Sequence, residues 1–274
     1  MNYIGGKYKL LSQILPYFPE HINTFVDMFA GGLDVAINVQ ANHIICNDIN
    51  HYIINMYQTM QHIELDNLLH DIHKSILEFN LSKTNTAGYI TLRNRYNDKR
   101  NPIDLFLLIC YGFNHQLRFN NRGEFNNPFG VNRSSYNENI EQNLIAWHPR
   151  LQQIEFLAQD FHDLNLIFLT PDDFVYADPP YLISCGSYND GKRGFEGWSA
   201  QDDLDLFNVL DKLNARHVNF AMSNVIEHKG MVNDNLNAWR AKYNTHILNA
   251  DYSNSNYHFS NRETHTIEVL ITNF

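Results

Sequence analysis

A chain of 274 residues with 44% hydrophobic and 18% charged side chains can bury a sizeable core, as one α/β domain or one domain with an insertion, and this composition excludes a disordered chain. No apolar run is long enough to span a bilayer, and Met1-Asn2-Tyr3-Ile4-Gly5-Gly6-Lys7 lacks the charged-then-apolar pattern of a secretory signal, so a cytoplasmic protein is expected. The formal net charge of −10 taken whole speaks against nucleic acid, but residues 81–135 hold eight Lys and Arg against three acids, a local +5 that leaves −15 elsewhere; a basic island of this kind is either a phosphate footprint or a solvated face.

In chain order, residues 9–17 place Leu10, Leu11, Ile14 and Leu15 at helical spacing and stop at Pro16 and Pro19. Residues 24–29 read as a buried strand, Ala30-Gly31-Gly32 as a tight turn and residues 34–40 as the start of a helix. Residues 43–46 are the next strand, ending at Asn47-Asp48, which completes a βαβ unit. Glycines let the backbone approach a ligand, and an acid at the end of the second strand accepts hydrogen bonds from ribose hydroxyls; Asp48 is therefore a candidate cofactor residue, or else a cap of the following helix. Ala30-Gly31-Gly32-Leu33 does not meet the Gly-x-Gly-x-x-Gly spacing, which disfavours NAD and FAD.

Residues 53–96 read as largely helical, with Leu65, Leu68, Leu69, Ile72, Ile76 and Leu77 as core. His70 and His73 share a face there, yet no Cys or carboxylate stands at ligand spacing around them, and Cys46, Cys110 and Cys185 lie far apart. Reduced thiols and no metal site are expected. Asn101-Pro102 opens another apolar helix to Tyr111. Residues 112–135 are then polar, rich in Gly and Asn, and studded with Phe113, Phe119, Phe125 and Phe129 and with Arg118, Arg122 and Arg133. Arginine and asparagine fit the edges of guanine and adenine, and aromatic rings stack on or wedge between bases, so this stretch reads as a nucleic-acid loop, with a plain surface loop as the alternative.

A helix near 139–147 precedes a strand at 154–157 that ends in Gln159-Asp160-Phe161, a carboxylate and a ring suited to the amine and face of an adenine, or equally to capping and packing. Phe174-Val175-Tyr176-Ala177-Asp178-Pro179-Pro180-Tyr181 follows: an apolar strand delivering a rigid polar turn. Each proline pushes the residue before it towards extended geometry, which fixes the oxygens of Asp178 and Pro179 beside the flat Tyr181 ring. Such a turn can grip a planar amine; by itself it is also an ordinary proline turn. Residues 184–198 read as a glycine-rich lid carrying Tyr188, residues 202–213 as an amphipathic helix, and residues 217–222 as a strand ending at Ser223-Asn224. Residues 236–243 read as helical, and residues 266–271 as a last strand paired near 245–248 or 251–259.

These pieces in this order resemble the Dam-like DNA adenine-N6 methyltransferases of the Asp-Pro-Pro-Tyr class, over nearly the whole chain. Tyr3 and Lys7 stand in what resembles the family's N-terminal cofactor motif, Asp27, Phe29, Ala30, Gly31 and Gly32 in its glycine-rich turn, Asp48 at the ribose acid, and Asp160 and Phe161 at the adenine-binding pair. The resemblance implies S-adenosylmethionine as methyl donor and a Rossmann-like seven-stranded α/β methyltransferase sheet. A helical target-recognition domain over 56–144 would be inserted into a catalytic domain of residues 1–55 and 145–274. Asp178, Pro179, Pro180 and Tyr181 would be catalytic, with Asp178 also at the cofactor, acting on a flipped adenine most often in GATC. Expected DNA contacts are Lys7, Asn114, Arg118, Asn120, Asn126, Pro128, Arg133 and Tyr188. The implied partner is double-stranded DNA, with a cognate restriction endonuclease beside it and neither membrane nor metal, in the cytoplasm of a bacterial or phage-infected cell.

Two positions depart from the family pattern: Leu33 stands where many relatives have another glycine, and Val131-Asn132 follows Pro128-Phe129-Gly130 where a basic residue is common. The competing readings are a methyltransferase on another amine, such as cytosine N4, RNA adenine or a protein amide, and a catalytically silent DNA-binding regulator.

Overall fold

The computed structural model describes residues 6–183, 197–249 and 266–274. Its sheet grows from short apolar runs. In chain order, α1 (Leu11–Ile14) lies between the 3-10 turns Tyr8–Leu10 and Leu15–Tyr17, then β1 (Thr24–Asp27) and β2 (His43–Asn47) follow. Five helices come next: α2 (His51–His62), α3 (Leu65–Glu78), α4 (Thr86–Lys99), α5 (Pro102–Tyr111) and α6 (Glu138–Leu151). The chain then returns to the sheet with β3 (Ile154–Leu157) and β4 (Phe174–Ala177), crosses α7 (Ala200–Ala215) into β5 (Asn219–His228) and β6 (Met231–Val232), and ends with α8 (Asp234–Arg240), β7 (Asn244–Leu248) and β8 (Thr266–Thr272).

The fold is mixed α/β around a mostly parallel sheet of order β3-β2-β1-β4-β5-β8-β7, with β6 paired to β5 off this path. The strands from β3 to β5 are parallel, whereas β8 runs antiparallel to both β5 and β7. Every residue of β1 and β4 is buried, as expected for central parallel strands covered on both faces. Phe25, Ile44, Phe174, Tyr176 and Leu270 face one core, and Val26, Ile45, Val175, Phe220 and Val269 face the other. The first core is continuous with the helices that lie between β2 and β3 in the chain, since Met56, Leu68, Leu92 and Leu107 belong to it.

The abundance of asparagine has a local explanation. Asn50, Asn85, Asn101, Asn137 and Asn233 each accept a backbone N–H of the first turn of α2, α4, α5, α6 and α8, and Ser199 with Asp202 forms a capping box on α7. Each such cap is worth about 1 kcal/mol. Among the described residues no helix is long and apolar enough to cross a membrane.

Two expectations change and a third is narrowed. Residues 34–40 form only a 3-10 turn, Ala36–Asn38, because the β-branched Val35, Ile37 and Val39 resist helix and the Asn38 side chain bonds the Asp34 carbonyl at 2.8 Å. β5 runs past Ser223-Asn224 to His228, since β8 offers it an antiparallel partner across a bulge between Val225 and Glu227. Of the two expected partners for the last strand, residues 244–248 pair with it; residues 251–259, like most of the expected lid with Tyr188, and like Tyr3 and Cys185, lie outside the described residues.

One buried ion pair ties the helices together. Arg95 on α4 forks onto the fully buried Asp104 of α5 (Nε to Oδ2 2.8 Å, Nη2 to Oδ1 2.6 Å) and reaches Glu78 of α3 at 3.0 Å. Removing one partner of such a pair strands the other charge. Arg95→Met, which leaves the fully buried Asp104 without its cation, is therefore expected to cost about 3 kcal/mol, read as a lower urea midpoint at an unchanged slope; an unchanged midpoint would show that the pair does not hold the helices.

Candidate active site at the strand ends

The strand order reverses between β1 and β4, and in sheets of this kind ligands bind in the crevice beyond the carboxyl ends of the strands at that point. The register sets Asp27 beside Tyr176 and Cys46, so Asp27, Asp48 and Asp178 arrive at one edge. Backbone bonds knit the loops there: Met28 N–H to the Tyr176 carbonyl at 2.9 Å and Ala30 N–H to the Asn47 carbonyl at 2.8 Å.

The turn after β1 places Gly31 at φ +43° and Leu33 at φ +62°. Left-handed backbone suits the glycine; at Leu33 it costs roughly 1 kcal/mol, offset by complete burial of the side chain. The Gly31 N–H donates to Asp48 Oδ2 at 2.9 Å, the Asn50 N–H to Oδ1 at 2.8 Å, and the Tyr57 hydroxyl to the Gly31 carbonyl at 2.7 Å. Asp48 thus clamps the glycine turn to the start of α2, whose capping side chain is Asn50. Asp27 is buried and takes a long bond from the Phe29 N–H at 3.4 Å; burial, followed by the nearby Asp178 charge, raises its pKa well above the usual carboxylate range.

Beyond β3, Asp160 Oδ1 accepts the His162 N–H at 3.0 Å and faces His162 Nδ1 at 2.6 Å. Phe161 is buried against Phe29 at 5.6 Å and Trp198 at 5.4 Å. Trp198 escaped the sequence reading. Its indole N–H donates to the buried Asp203 at 2.7 Å, which fixes a third ring beside Phe29 and Phe161.

At the end of β4, Pro179 is buried, Pro180 is exposed, and Asp178 holds two donors: Lys7 Nζ lies 2.8 Å from Oδ2 and the Tyr181 hydroxyl 2.8 Å from Oδ1. The same two groups face Glu268 of β8, Tyr181 at 3.0 Å and Lys7 at 3.6 Å from Oε1, and Lys7 sits 4.9 Å from the Tyr181 ring centroid. Glu268 is 1% exposed. It too was missed, although a lone acid inside Thr266-Ile267-Glu268-Val269-Leu270-Ile271 was a signal. Burial raises the Asp178 pKa against the pull of Lys7 and of the Tyr181 bond, and Glu268 adds to the rise; for Lys7 the two carboxylates outweigh burial and raise the ammonium pKa. Lys7 is buried on Asp178, inside the site rather than on an exposed face.

Residues 112–135 fold as a loop pinned to α4. Isolated bridges join Gly112 to Phe129 and Phe119 to Phe125, Asn97 bonds both N–H and C=O of Phe125, and the Tyr89 hydroxyl donates to the Asn127 carbonyl at 3.0 Å. Phe119 and Phe125 are 3% and 1% exposed, packed on each other and on Tyr96, so they are core rather than base-stacking rings. Asn120 turns inward: it accepts from the Arg122 and Glu124 N–H groups and donates to the Glu124 carboxylate, holding a turn in which Gly123 takes φ +72°. Phe113, Asn114, Pro128 and Arg133 are exposed, with the Arg133 guanidinium 6.0 Å from the Phe113 ring, while Arg118 and Asn126 are half-buried and Asn126 Oδ1 is buried without a partner. His73 pairs with Glu141 at 2.6 Å.

The model of the D12 class N6 adenine-specific DNA methyltransferase family matches residues 3–262. The chain is 46% identical over its full length to the type II methyltransferase M.FokI of Planomicrobium okeanokoites and, likewise at 46%, to the modification methylase StsI of Streptococcus sanguinis; it spans 42% of the length of each. It is 28% identical to the DNA adenine methylase of Escherichia coli K12, over 82% of this chain and 79% of that one.

Asp27 gives a pH signature of this crevice. A carboxyl whose folded pKa is raised contributes stability that is fully present below its unfolded pKa and is lost as pH rises through the folded one. Asp27→Asn keeps the shape and stays neutral. The thermal midpoint of the wild type is therefore expected to fall behind that of Asp27→Asn as pH rises above the ordinary carboxylate range, in a pH series on both proteins; parallel curves would contradict a buried neutral Asp27.

Proposed function

As the chain belongs to the D12 class N6 adenine-specific DNA methyltransferase family, we propose that it transfers a methyl group from S-adenosylmethionine to N6 of adenine in double-stranded DNA. The observation that carries this reading is Asp178: an acceptor fixed by a proline turn at the strand-order reversal, beside the loop that Asp48 clamps. The residues there fit the donor. Asp48 and the Gly31 turn suit a ribose, and Phe29, Phe161 and Trp198 beside Asp160 suit an adenine's face and amine. S-adenosylmethionine supplies an electrophilic methyl on a sulfonium.

The chain's own part is positioning. An adenine amine is a poor nucleophile because its lone pair is drawn into the ring. Asp178 accepting one N–H, with the Pro179 carbonyl accepting the other, favours a pyramidal nitrogen whose lone pair is aimed for in-line displacement. Duplex DNA hides that amine, so the base is flipped into the crevice, with Tyr181 stacked on it.

The domain division belongs to the same reading: a Rossmann-like catalytic domain of residues 1–55 and 145–274, and target recognition by the helices and loop of 56–144. Within that loop Asn114, Pro128 and Arg133 stand exposed, and Arg118 and Asn126 half-buried, as candidate contacts. Two relatives named as a type II methyltransferase and a modification methylase favour a restriction-modification setting, with a cognate endonuclease as partner, in the cytoplasm of a bacterial or phage-infected cell. GATC, which the Dam resemblance implies, is the sequence to test first, and the exposed Val131 and Asn132, standing where the family pattern has a basic residue, are the reason the context has to be read directly.

Asp178→Ala is expected to lower methyl transfer by about a hundredfold or more, with cofactor affinity nearly unchanged by calorimetry; near-normal turnover would remove the assignment. Sequencing modified bases in DNA from a methylation-deficient host expressing the protein reads base and context together, and modified cytosine, or none, would overturn the proposal. In salt titrations of DNA affinity, Arg133→Ala should reduce the slope by about one while Lys7→Ala leaves it unchanged; the reverse would move the phosphate contact to Lys7.

A further inference from the structure

Both oxygens of Asp178 are engaged by donors from within the chain, Oδ1 by the Tyr181 hydroxyl and Oδ2 by the Lys7 ammonium, each at 2.8 Å. Each oxygen keeps a second lone-pair site, but the donor already on it draws charge away from an incoming N–H, so Asp178 grips an amine more strongly when a resident donor shifts to another acceptor. A desolvated donor yields only if another acceptor stands ready. Glu268 is that acceptor. Its Oε1 lies 3.0 Å from the Tyr181 hydroxyl, close enough that rotation of the hydroxyl proton alone changes partners, and 3.6 Å from Lys7 Nζ, which needs a shift of less than about 1 Å to bond at ordinary length.

We propose that Glu268 is a positioning residue of the methyl-transfer site: it takes the Tyr181 hydroxyl, and a share of the Lys7 ammonium, from Asp178 when the substrate amine arrives. The inference rests on the reading of Asp178 as the acceptor of the adenine amine. No bond is made or broken in the exchange. The phenolic proton stays on Tyr181 and the ammonium keeps its three protons; only hydrogen-bond partners change.

The place of Glu268 supports this. In the sheet it is flanked by Val225 of β5 and Leu248 of β7, an apolar setting for a carboxylate that is 1% exposed. Replacing a buried charge in such a setting with a neutral group of the same shape is often neutral or stabilising, so stability alone does not call for an acid here. Among the described residues Lys7 is the cation facing Asp178 and Glu268, Tyr181 bridges them, and Tyr176 and Asp27 approach from β4 and β1, with the Tyr176 hydroxyl turned to Ser223 Oγ at 2.8 Å.

The test compares wild type, Glu268→Gln and Glu268→Gln/Tyr181→Phe in single-turnover methyl transfer to duplex DNA across pH, with thermal midpoints recorded. Gln keeps the shape but is the weaker acceptor, so Tyr181 and Lys7 settle on Asp178. The rate is expected to fall about tenfold, with the KM for the methyl donor and the thermal midpoint unchanged or the midpoint raised. The acid limb of the rate should move to lower pH, because Asp178 must be ionised to accept and loses the neighbouring charge that raises its pKa. Tyr181→Phe keeps the ring and removes the competing donor, so the double variant should be faster than Glu268→Gln alone. A wild-type rate in Glu268→Gln, an unmoved acid limb, or a double variant slower than the single one would overturn the inference while leaving the proposed function standing. No transfer to adenine by the wild type would overturn that function and this inference with it.

Discussion

A carboxylate taken out of water has to be held by donors, and the arrangement of this molecule follows from how Asp178 is held. The N-terminal loop brings Lys7 and the proline turn itself brings Tyr181, the two donors, and β8 brings Glu268, a second carboxylate that faces the same two groups. That convergence requires β8 to insert antiparallel beside β5 and the N-terminal segment to close over the first core, where Leu10, Leu11 and Ile14 pack. The antiparallel strand is thus more than an edge added to a parallel sheet, since it carries the second carboxylate of the site.

The two sides of the crevice use opposite strategies. Around Asp48 each oxygen meets a backbone N–H, from Gly31 and from Asn50, so position is set by chain geometry. Around Asp178 the partners are a flexible lysine and a rotatable hydroxyl, which can change allegiance. A fixed clamp suits a cofactor that is bound the same way in every cycle. An exchangeable one suits a group that has to give up one partner to grip another.

Much of this could be read in the sequence because local rules and tertiary structure agree there. The strand 174–177 ends where its apolar run meets Asp178-Pro179, and helix starts fall at Asn101-Pro102 and Asn137 because side-chain caps are local. The parts that could not be read depend on partners distant in sequence. Phe119 and Phe125 sit in a polar stretch, and only the packing of α4 against the loop shows that they are core. Lys7 looks like a surface cation until the fold turns it inward onto Asp178. Residues 34–40 follow a strand and a glycine turn, where a βαβ unit places a helix, but Leu33 in left-handed geometry and three β-branched side chains leave room for one 3-10 turn.

Glu268 shows where sequence reading can be extended. An acid inside an otherwise apolar strand has two physical outcomes: it faces water, or it is buried and must be matched by donors from elsewhere. β8 is buried on both faces from Glu268 to Thr272, so neither face offers water; alternation sets only which side Glu268 takes, that of Leu270, and a cation and a hydroxyl have to meet it there. Lys7 and Tyr181 meet that requirement, and because they are also the partners of Asp178, the two carboxylates share one set of donors. A buried acid facing the core of a late strand is thus a pointer to the charge with which it must be balanced, and in this chain that charge lies at the Asp-Pro-Pro-Tyr turn.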